Sequence, residues 1–362
     1  MRKQLAIDAG GTTTRAVVLD SNGRTLGYGR AGSGNPTASG IEGAAAAVLT
    51  AARRALRSDA TPTDPKSSAL IALAGSESAQ FRHAVAALIG PLGFEGGVAT
   101  EPDLAGMFFS GTFRQHGYGL IAGTGAVAAR IEHGKLERVA GGAGWLLGDS
   151  GSGFWIGRRV LRAVTAAIDG LGPSTALTAL VLGSLGLAAD PGSDRANTNH
   201  ANTTLANSTT ANGAETSVQG RPRVLFELID AVYALPPVQL ARFAPLAFQA
   251  QTDAVARDIL RGAATALSDL LATVHDPRRG GELVVGGSVL TAGLRDAPEI
   301  FGPPLAAVAP NATVLSVPDG LVGAAVLSLR HAGVAVDAAL FSRLRADIAR
   351  SAAAYTEEVE TP

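Results

Sequence analysis

Asp8-Ala9-Gly10-Gly11-Thr12-Thr13-Thr14 separates two apolar runs, Leu5-Ala6-Ile7 and Ala16-Val17-Val18-Leu19. The runs read as strands over 3–8 and 14–20, with the residues between them turning the chain. Gly10 and Gly11 leave the backbone bare there, so its N–H groups can line a cradle for an anion. Thr12, Thr13 and Thr14 add hydroxyl donors. Asp8, at a strand end, offers a carboxylate of the kind that holds hydrated Mg²⁺, an ion that needs only one or two such ligands. An ordinary glycine-rich hairpin is the competing reading of this segment taken alone. Ser21-Asn22-Gly23 follows, an Asn-Gly hairpin signal leading into a third strand over 25–29.

Outward from this stretch the chain alternates. Alanine-rich helical patterns at 40–57 and 77–89 bracket apolar strands at 69–74 and 97–100. The opening order then recurs: Tyr118-Gly119-Leu120-Ile121-Ala122, a turn at Gly123-Thr124-Gly125, a strand over 126–132, a His133-Gly134 turn and a strand over 136–139. An internal duplication with two equivalent glycine-threonine turns predicts an α/β fold of two mixed sheets flanked by helices. Helical patterns resume at 223–233 and 245–275. A strand over 282–285 then runs into a third glycine turn, Gly286-Gly287-Ser288, before a strand at 313–317, a helix over 319–331 and an amphipathic segment at 336–350. Residues 188–222 change to Asn, Thr, Ser, Gly and Ala, a composition that cannot offset its own ordering entropy and reads as a mobile polar insertion.

Composition removes whole classes of function. Thirty Lys+Arg against 31 Asp+Glu give a formal charge of −1, so no global field draws the protein to nucleic acid or an anionic membrane. The absence of cysteine excludes a disulfide framework, a thiolate zinc site, a Cys-held iron–sulfur cluster and a catalytic thiol. No stretch reaches the 18 or so apolar residues of a membrane span, and the N-terminus lacks a secretory pattern, so the expected location is the cytoplasm. The form G-x-x-x-x-G-K-[ST] is missing, which argues against a Walker-type nucleotide site.

The paired turns and the third glycine turn resemble the sugar kinase, Hsp70 and actin superfamily. Gly34-Asn35-Pro36-Thr37, Asp103 after a strand, and the stretch from Gly141 to Gly157 narrow this. They resemble the N-acetylglucosamine kinase and BadF/BadG ATPase family. The resemblance implies two RNase H-like domains closing over ATP with Mg²⁺. They would be 1–115, joined by a C-terminal helix over 336–355, and 116–335. It assigns Gly10, Gly11, Thr12, Thr13, Gly123, Thr124, Gly125, Gly286, Gly287 and Ser288 to ATP, and Asp8 to the metal. Asn35, Glu101, Gly144, Trp145 and Asp149 go to the sugar, with Asp103 as the general base that takes the proton of the attacking hydroxyl. A cap for a helix starting near Leu104 is the alternative for Asp103, turn roles for Asn35 and Asp149, and core packing for Trp145. Where the family reads Gly-Gly-Trp-Gly, three residues, Gly-Asp-Glu-Gly-Ser, this chain has Ala143 and Ser150.

The implied activity is phosphorylation of the 6-hydroxyl of an amino sugar, within a homodimer and without nucleic-acid or membrane partners. Glucosamine is favoured over N-acetylglucosamine because Glu101 and Asp149 could together face an ammonium. A non-catalytic nucleotide-dependent sugar sensor is the different-class alternative, one that would not require Asp103.

Overall fold

The computed structural model describes residues 1–57, 63–74, 78–187, 217–218 and 220–360. Its first sheet is built from β1 (Lys3–Ala9), β2 (Thr14–Asp20), β3 (Thr25–Ala31), β4 (Ser68–Leu73) and β5 (Val98–Pro102), in the order β3-β2-β1-β4-β5. β1, β2 and β3 meander antiparallel, and β4 and β5 continue the sheet in parallel with β1. Helix α1 (Pro36–Leu56) opens with Asn35 as its cap, Pro36 in its first turn and a non-helical Gly40 at φ 72°. The sequence pattern starts the helix only at that kink. α2 (Ala79–Ile89) is capped by Ser78 and α3 (Asp103–Gly111) follows β5 directly.

The second sheet repeats the plan, with β6 (Gly117–Ala122), β7 (Ala126–Glu132) and β8 (Lys135–Gly141) antiparallel. After β8 come α4 (Gly144–Leu147), α5 (Gly153–Ile168) and α6 (Leu177–Leu185). Most of the expected insertion lies outside the described residues; near its end β9 (Ser217–Val218) pairs antiparallel with β10 (Arg221–Pro222). Then come α7 (Arg223–Tyr233), α8 (Ala244–Gln249), α9 (Ala254–Val274), β11 (Glu282–Gly286), α10 (Ser288–Asp296), α11 (Pro298–Val308), β12 (Val314–Val317), α12 (Leu321–His331) and α13 (Ala338–Glu360). The 245–275 helical pattern is broken before Ala254, where Asp253 caps α9 by accepting from the N–H of Ala256. The second sheet runs β12-β11-β6-β7-β8, with β11 parallel to both β6 and β12. The α/β arrangement of two sheets is as the duplicated pattern predicts. No described helix is long and apolar enough to cross a membrane.

The two halves are joined by an exchange of helices. α3 leaves the first sheet and packs on β6 and β11 of the second; α12 leaves the second and packs on β1 and β4 of the first. The two helices cross at glycines. A Cβ on Gly323 would collide with the carbonyl of Gly106, and one on Gly106 would lie 2.7 Å from the Ala72 methyl. Ser110 Oγ accepts from the N–H of Gly323 at 2.8 Å, satisfying a donor that the first turn of α12 leaves unpaired. At the far end the Arg330 guanidinium lies 4.4 Å from the Phe109 ring centroid and donates to the carbonyl of Phe113 at 2.6 Å. α13 closes over β3, with Tyr28 and Tyr355 ring centroids 5.4 Å apart. The core is largely aliphatic, and alanine contributes many of its fully buried positions.

Because backbone rather than a flexible side chain fills the space at Gly323, Gly323→Ala is expected to destabilise the protein by on the order of 3 kcal/mol. Surface alanines should cost far less. Thermal or urea unfolding of the variant checks this, and a wild-type midpoint would contradict the close crossing.

Candidate active site

The three glycine turns all lie at one end of the sheets, where the parallel strands finish and open α/β folds leave room for ligands. In the second half two of them touch. Gly287, at φ 86°, follows β11, and a Cβ there would sit 2.5 Å from the carbonyl oxygen of Ala122 and 2.7 Å from the nitrogen of Gly123. Only glycine allows that approach. α5 points its N-terminus at the same turn, with Gly153 N–H donating to the Gly123 carbonyl at 2.7 Å and Phe154 N–H to the Thr124 carbonyl at 3.2 Å. Asp149 lies behind the turn, where its Oδ1 accepts from Ala126 N–H at 3.2 Å and a Cβ on Gly125 would be 2.9 Å from its carboxylate. It is buried, its backbone is left-handed at φ 59°, and burial pushes its carboxyl up against the Ala126 bond that lowers it.

In the first half the Gly10–Thr13 turn closes through Gly10 N–H to the Thr13 carbonyl at 3.0 Å, with Gly11 and Thr12 exposed at its tip. Thr14 Oγ1 donates to the Gly32 carbonyl at 2.8 Å, tying the turn to the strand that leads to Asn35. Asp8 is buried beside this turn. Its Oδ2 accepts from Gly320 N–H at 3.3 Å and lies 3.6 Å from Arg15, whose Nε is 3.2 Å from Asp319 Oδ2. Asp319 Oδ1 accepts from Leu321 N–H at 3.1 Å, so both carboxylates meet the positive end of α12. Burial raises the Asp8 carboxyl from 3.8 to about 7. Asp319 adds to the rise, Arg15 and Gly320 oppose it, and Asp103 contributes a smaller repulsion.

These contacts put the two halves of the site on one continuous path. Val317 of β12 is in register with Gly286 of β11; two residues past Val317 comes Asp319, and two past the strand of Gly286 comes Ser288. Asp103 joins at the α3–α12 crossing, where Gly106, one turn along, lies under Gly320. Burial raises its carboxyl from 3.8 to about 6, against the backbone N–H groups of Leu104 and Asp103 itself.

Some sequence-predicted roles change. Asp103 is the first residue of α3 and not its cap, a position Pro102 holds without a side-chain bond, yet its carboxylate still takes backbone N–H groups of the first turn. Asn35 does cap α1, with Oδ1 accepting from Thr37 N–H at 2.8 Å. Glu101 lies on β5 with Oε1 3.0 Å from His331 Nε2 at the C-terminal end of α12, and Asp149 is held at the second turn by the bond from Ala126 N–H. Trp145 packs one side against Phe154, 5.5 Å between centroids, yet is 40% exposed, and Gly144 before it stands in open space at φ 80°. Sequence reading missed Arg15, Asp319 and Gly320. The signal for Asp319 was an Asp-Gly pair just before a helix, a position where a side chain meets free N–H groups. Among the described residues no cluster of three or more His, Asp or Glu could hold a metal. Asp8 and Asp319 are hard oxygen donors in the number Mg²⁺ requires, so the residues present fit that ion.

The model of the BadF/BadG/BcrA/BcrD ATPase family matches residues 5–328. The chain belongs to this family. Among curated relatives it is 30% identical to glucosamine kinase from Vibrio cholerae over 184 residues, 50% of this chain and 61% of the other. It is 31% identical to N-acetyl-D-glucosamine kinase from Dictyostelium discoideum over 195 residues, 51% and 61% of the two chains. The chain thus spans about three-fifths of the length of these relatives. A Chromobacterium violaceum structure described as a candidate N-acetylglucosamine kinase superposes with TM-score 0.65 at 24% identity, over 91% of this chain and 99% of that one. A ROK family glucokinase from Streptomyces griseus, solved with glucose and AMPPNP, gives TM-score 0.50 at 20% identity, over 90% and 98%. These two likenesses establish the shared fold.

The raised Asp8 carboxyl has a thermodynamic consequence for this ATPase-family site. The folded state holds that proton more tightly than the unfolded chain. The resulting stability is complete below about pH 4 and is lost as pH rises through about 7. In metal-free buffer Asp8→Asn should therefore be more stable than wild type at pH 8, by on the order of 1–3 kcal/mol, with the advantage fading toward pH 4. Calorimetry at both pH values checks this. A variant less stable than wild type at pH 8 would show that the ion pair with Arg15 outweighs burial.

Proposed function

We propose that the chain is an ATP- and Mg²⁺-dependent kinase acting on the 6-hydroxyl of an amino hexose, within a homodimer and with no nucleic-acid or membrane partner. The observation that carries this is Asp103. It is a carboxylate raised into the working range of a general base, at the start of the helix that crosses α12, and close enough to Asp8 to add to the repulsion there. A sensor of sugar and nucleotide has no use for a base at that point.

In this reading the chain forms two lobes, 1–115 with the C-terminal helix over 336–355, and 116–335, and the nucleotide lies between their turns. Backbone N–H groups of Gly10–Thr13, Gly123–Gly125 and Gly287–Ser288 hold phosphate oxygens, as preorganised dipoles do for developing charge. Asp8 and Asp319 would hold Mg²⁺, which when bound neutralises charge on the transferring phosphoryl group. Asp103 accepts the proton as the sugar O6 bonds to the γ-phosphorus and the bond to the β–γ bridging oxygen breaks, giving ADP and the 6-phosphosugar. Asn35, Gly144, Trp145, Asp149 and Glu101 are assigned to the sugar.

The glucosamine and N-acetylglucosamine kinases among its relatives support an amino sugar, and glucosamine is our first choice. Glu101 is engaged by His331 and Asp149 by the Ala126 N–H, so this choice leans on the relatives and not on a pair of free carboxylates. Coupled ADP release measured with glucosamine, N-acetylglucosamine and glucose decides among these acceptors, and sedimentation tests the dimer.

Asp103→Asn should lower kcat by about 10²- to 10⁴-fold on every accepted sugar, the usual worth of a general base. The wild-type rate should fall below about pH 6, where this carboxyl takes up its proton. Undiminished turnover by the folded variant would remove Asp103 from the chemistry, and no turnover on any hexose would favour the sensor.

A further inference from the structure

Sheet register sets Arg15 directly opposite Asp8 across β1 and β2, and Arg30 directly opposite Arg15 across β2 and β3. Residues paired in this way point to one face of a sheet and lie within reach of each other. α12 packs on β1 and β2, and the residues just before it bring Asp319 to the same place. One guanidinium therefore stands between two carboxylates. Arg15 Nη1 is 3.6 Å from Asp8 Oδ2, and its Nε is 3.2 Å from Asp319 Oδ2. The like charge of Arg30, exposed on the far side of Arg15, favours this placement toward the acids.

That placement bears on metal binding. Asp8 and Asp319 are the carboxylates that would hold Mg²⁺ in the proposed kinase, and Arg15 lies against an oxygen of each. The other oxygen of Asp319 accepts from Leu321 N–H, so the side of this carboxylate turned to Arg15 is the one without a backbone donor. A divalent ion shared by the two acids would face the guanidinium across a few Å, and like charges that close in a partly buried site repel strongly. Arginine cannot relieve the repulsion by losing its proton. It can only move. The Arg15 side chain is 26% exposed against 10% for Asp8, so the cation has an open side that the buried acid lacks.

We propose that Arg15 is a resident counter-ion that keeps divalent metal off the Asp8–Asp319 pair until a polyphosphate draws the guanidinium away, so that metal and nucleotide enter together. This rests on the reading of that pair as the metal site. The means of release is local. Arg15 lies two residues past the Gly10–Thr13 turn, whose exposed tip is the place assigned to phosphate oxygens. A guanidinium takes phosphate oxygens as readily as carboxylates, through the same planar fork. A purely structural ion pair makes the opposite demand on experiment. If Arg15 only held the acids in position, removing it would loosen them and weaken metal binding; as a counter-ion, its removal frees both carboxylates and strengthens it.

The test is binding of Mn²⁺, standing in for Mg²⁺, to the full chain without nucleotide, followed by electron paramagnetic resonance. Arg15→Met should bind the ion at least about ten-fold more tightly than wild type, a small share of the repulsion between a monovalent and a divalent cation at this range. Arg15→Gln, neutral but still able to donate to Asp319, should show the same gain and serves if Arg15→Met fails to fold. Arg15→Lys keeps the charge and should stay near wild type. Mn²⁺ should also raise the melting temperature of the neutral variants more than that of wild type, a readout independent of turnover. Adding Asp319→Asn to Arg15→Met should cancel most of the gain, and saturating AMPPNP should remove the advantage over wild type. Unchanged or weaker Mn²⁺ binding by the neutral variants overturns the proposal. So does an equal gain in Arg15→Lys, a gain that survives Asp319→Asn, or an advantage that persists with AMPPNP. Absence of turnover on every hexose counts against the kinase reading and leaves the Mn²⁺ result standing.

Discussion

The crossing of α3 and α12 at Gly106 and Gly323 is the constraint on which the rest of the molecule depends. It lets two helices approach until backbone meets backbone, and it brings each helix onto the sheet it did not come from. With larger side chains there the helices would separate, and the start of α12 would withdraw from Asp8. The N–H groups of Gly320 and Leu321 reach the carboxylates of Asp8 and Asp319 only because the crossing seats that helix end. The site is therefore a product of close packing as much as of its acidic residues.

That seating explains an electrostatic balance otherwise hard to maintain. Asp8 is buried near two other carboxylates, which raises its proton affinity, and only Arg15 and one backbone donor oppose this. Without a further cation the arrangement is unfavourable at neutral pH, a common property of sites built for a charged ligand. Arg15 spans Asp8 and Asp319 and holds the two acids in a shared geometry. The glycine turns on the other sheet supply the complementary feature, a surface of bare backbone with no side chain to fill it.

Much of this was legible in the sequence, for reasons that differ by element. The strands and their turns could be read because period, Asn-Gly and Gly-Thr-Gly signals are local, and the duplication marked two sheets. Asp8 and Asp103 drew notice because each lies where a strand gives way to a turn or a helix, Asp8 one residue before the end of β1 and Asp103 one residue after the end of β5. The early start of α1 at Pro36 was missed because Gly40 interrupts the periodicity, though the Asn35-Pro36 pair is a start signal. α4, α5 and α10 follow glycine-rich turns whose composition masks the helices. Arg15 and Asp319 lie far apart in the chain and meet only through the exchanged helices, a relation no local pattern carries. The contact of Glu101 with His331, 230 residues away, is likewise one that no local pattern carries.

Asp149 illustrates how such a site constrains sequence change. Its backbone holds a left-handed conformation that glycine adopts freely and that costs other L-residues roughly 1 kcal/mol. A single base change converts an aspartate codon to a glycine codon, so mutation offers a route to a more relaxed chain at this position. Taking it would empty the space behind the second turn, where the carboxylate now accepts from Ala126 and lies against Gly125. Relief of backbone strain and retention of the turn thus pull this position in opposite directions. The residue that would sit most easily in this backbone is therefore not the residue that best holds the turn.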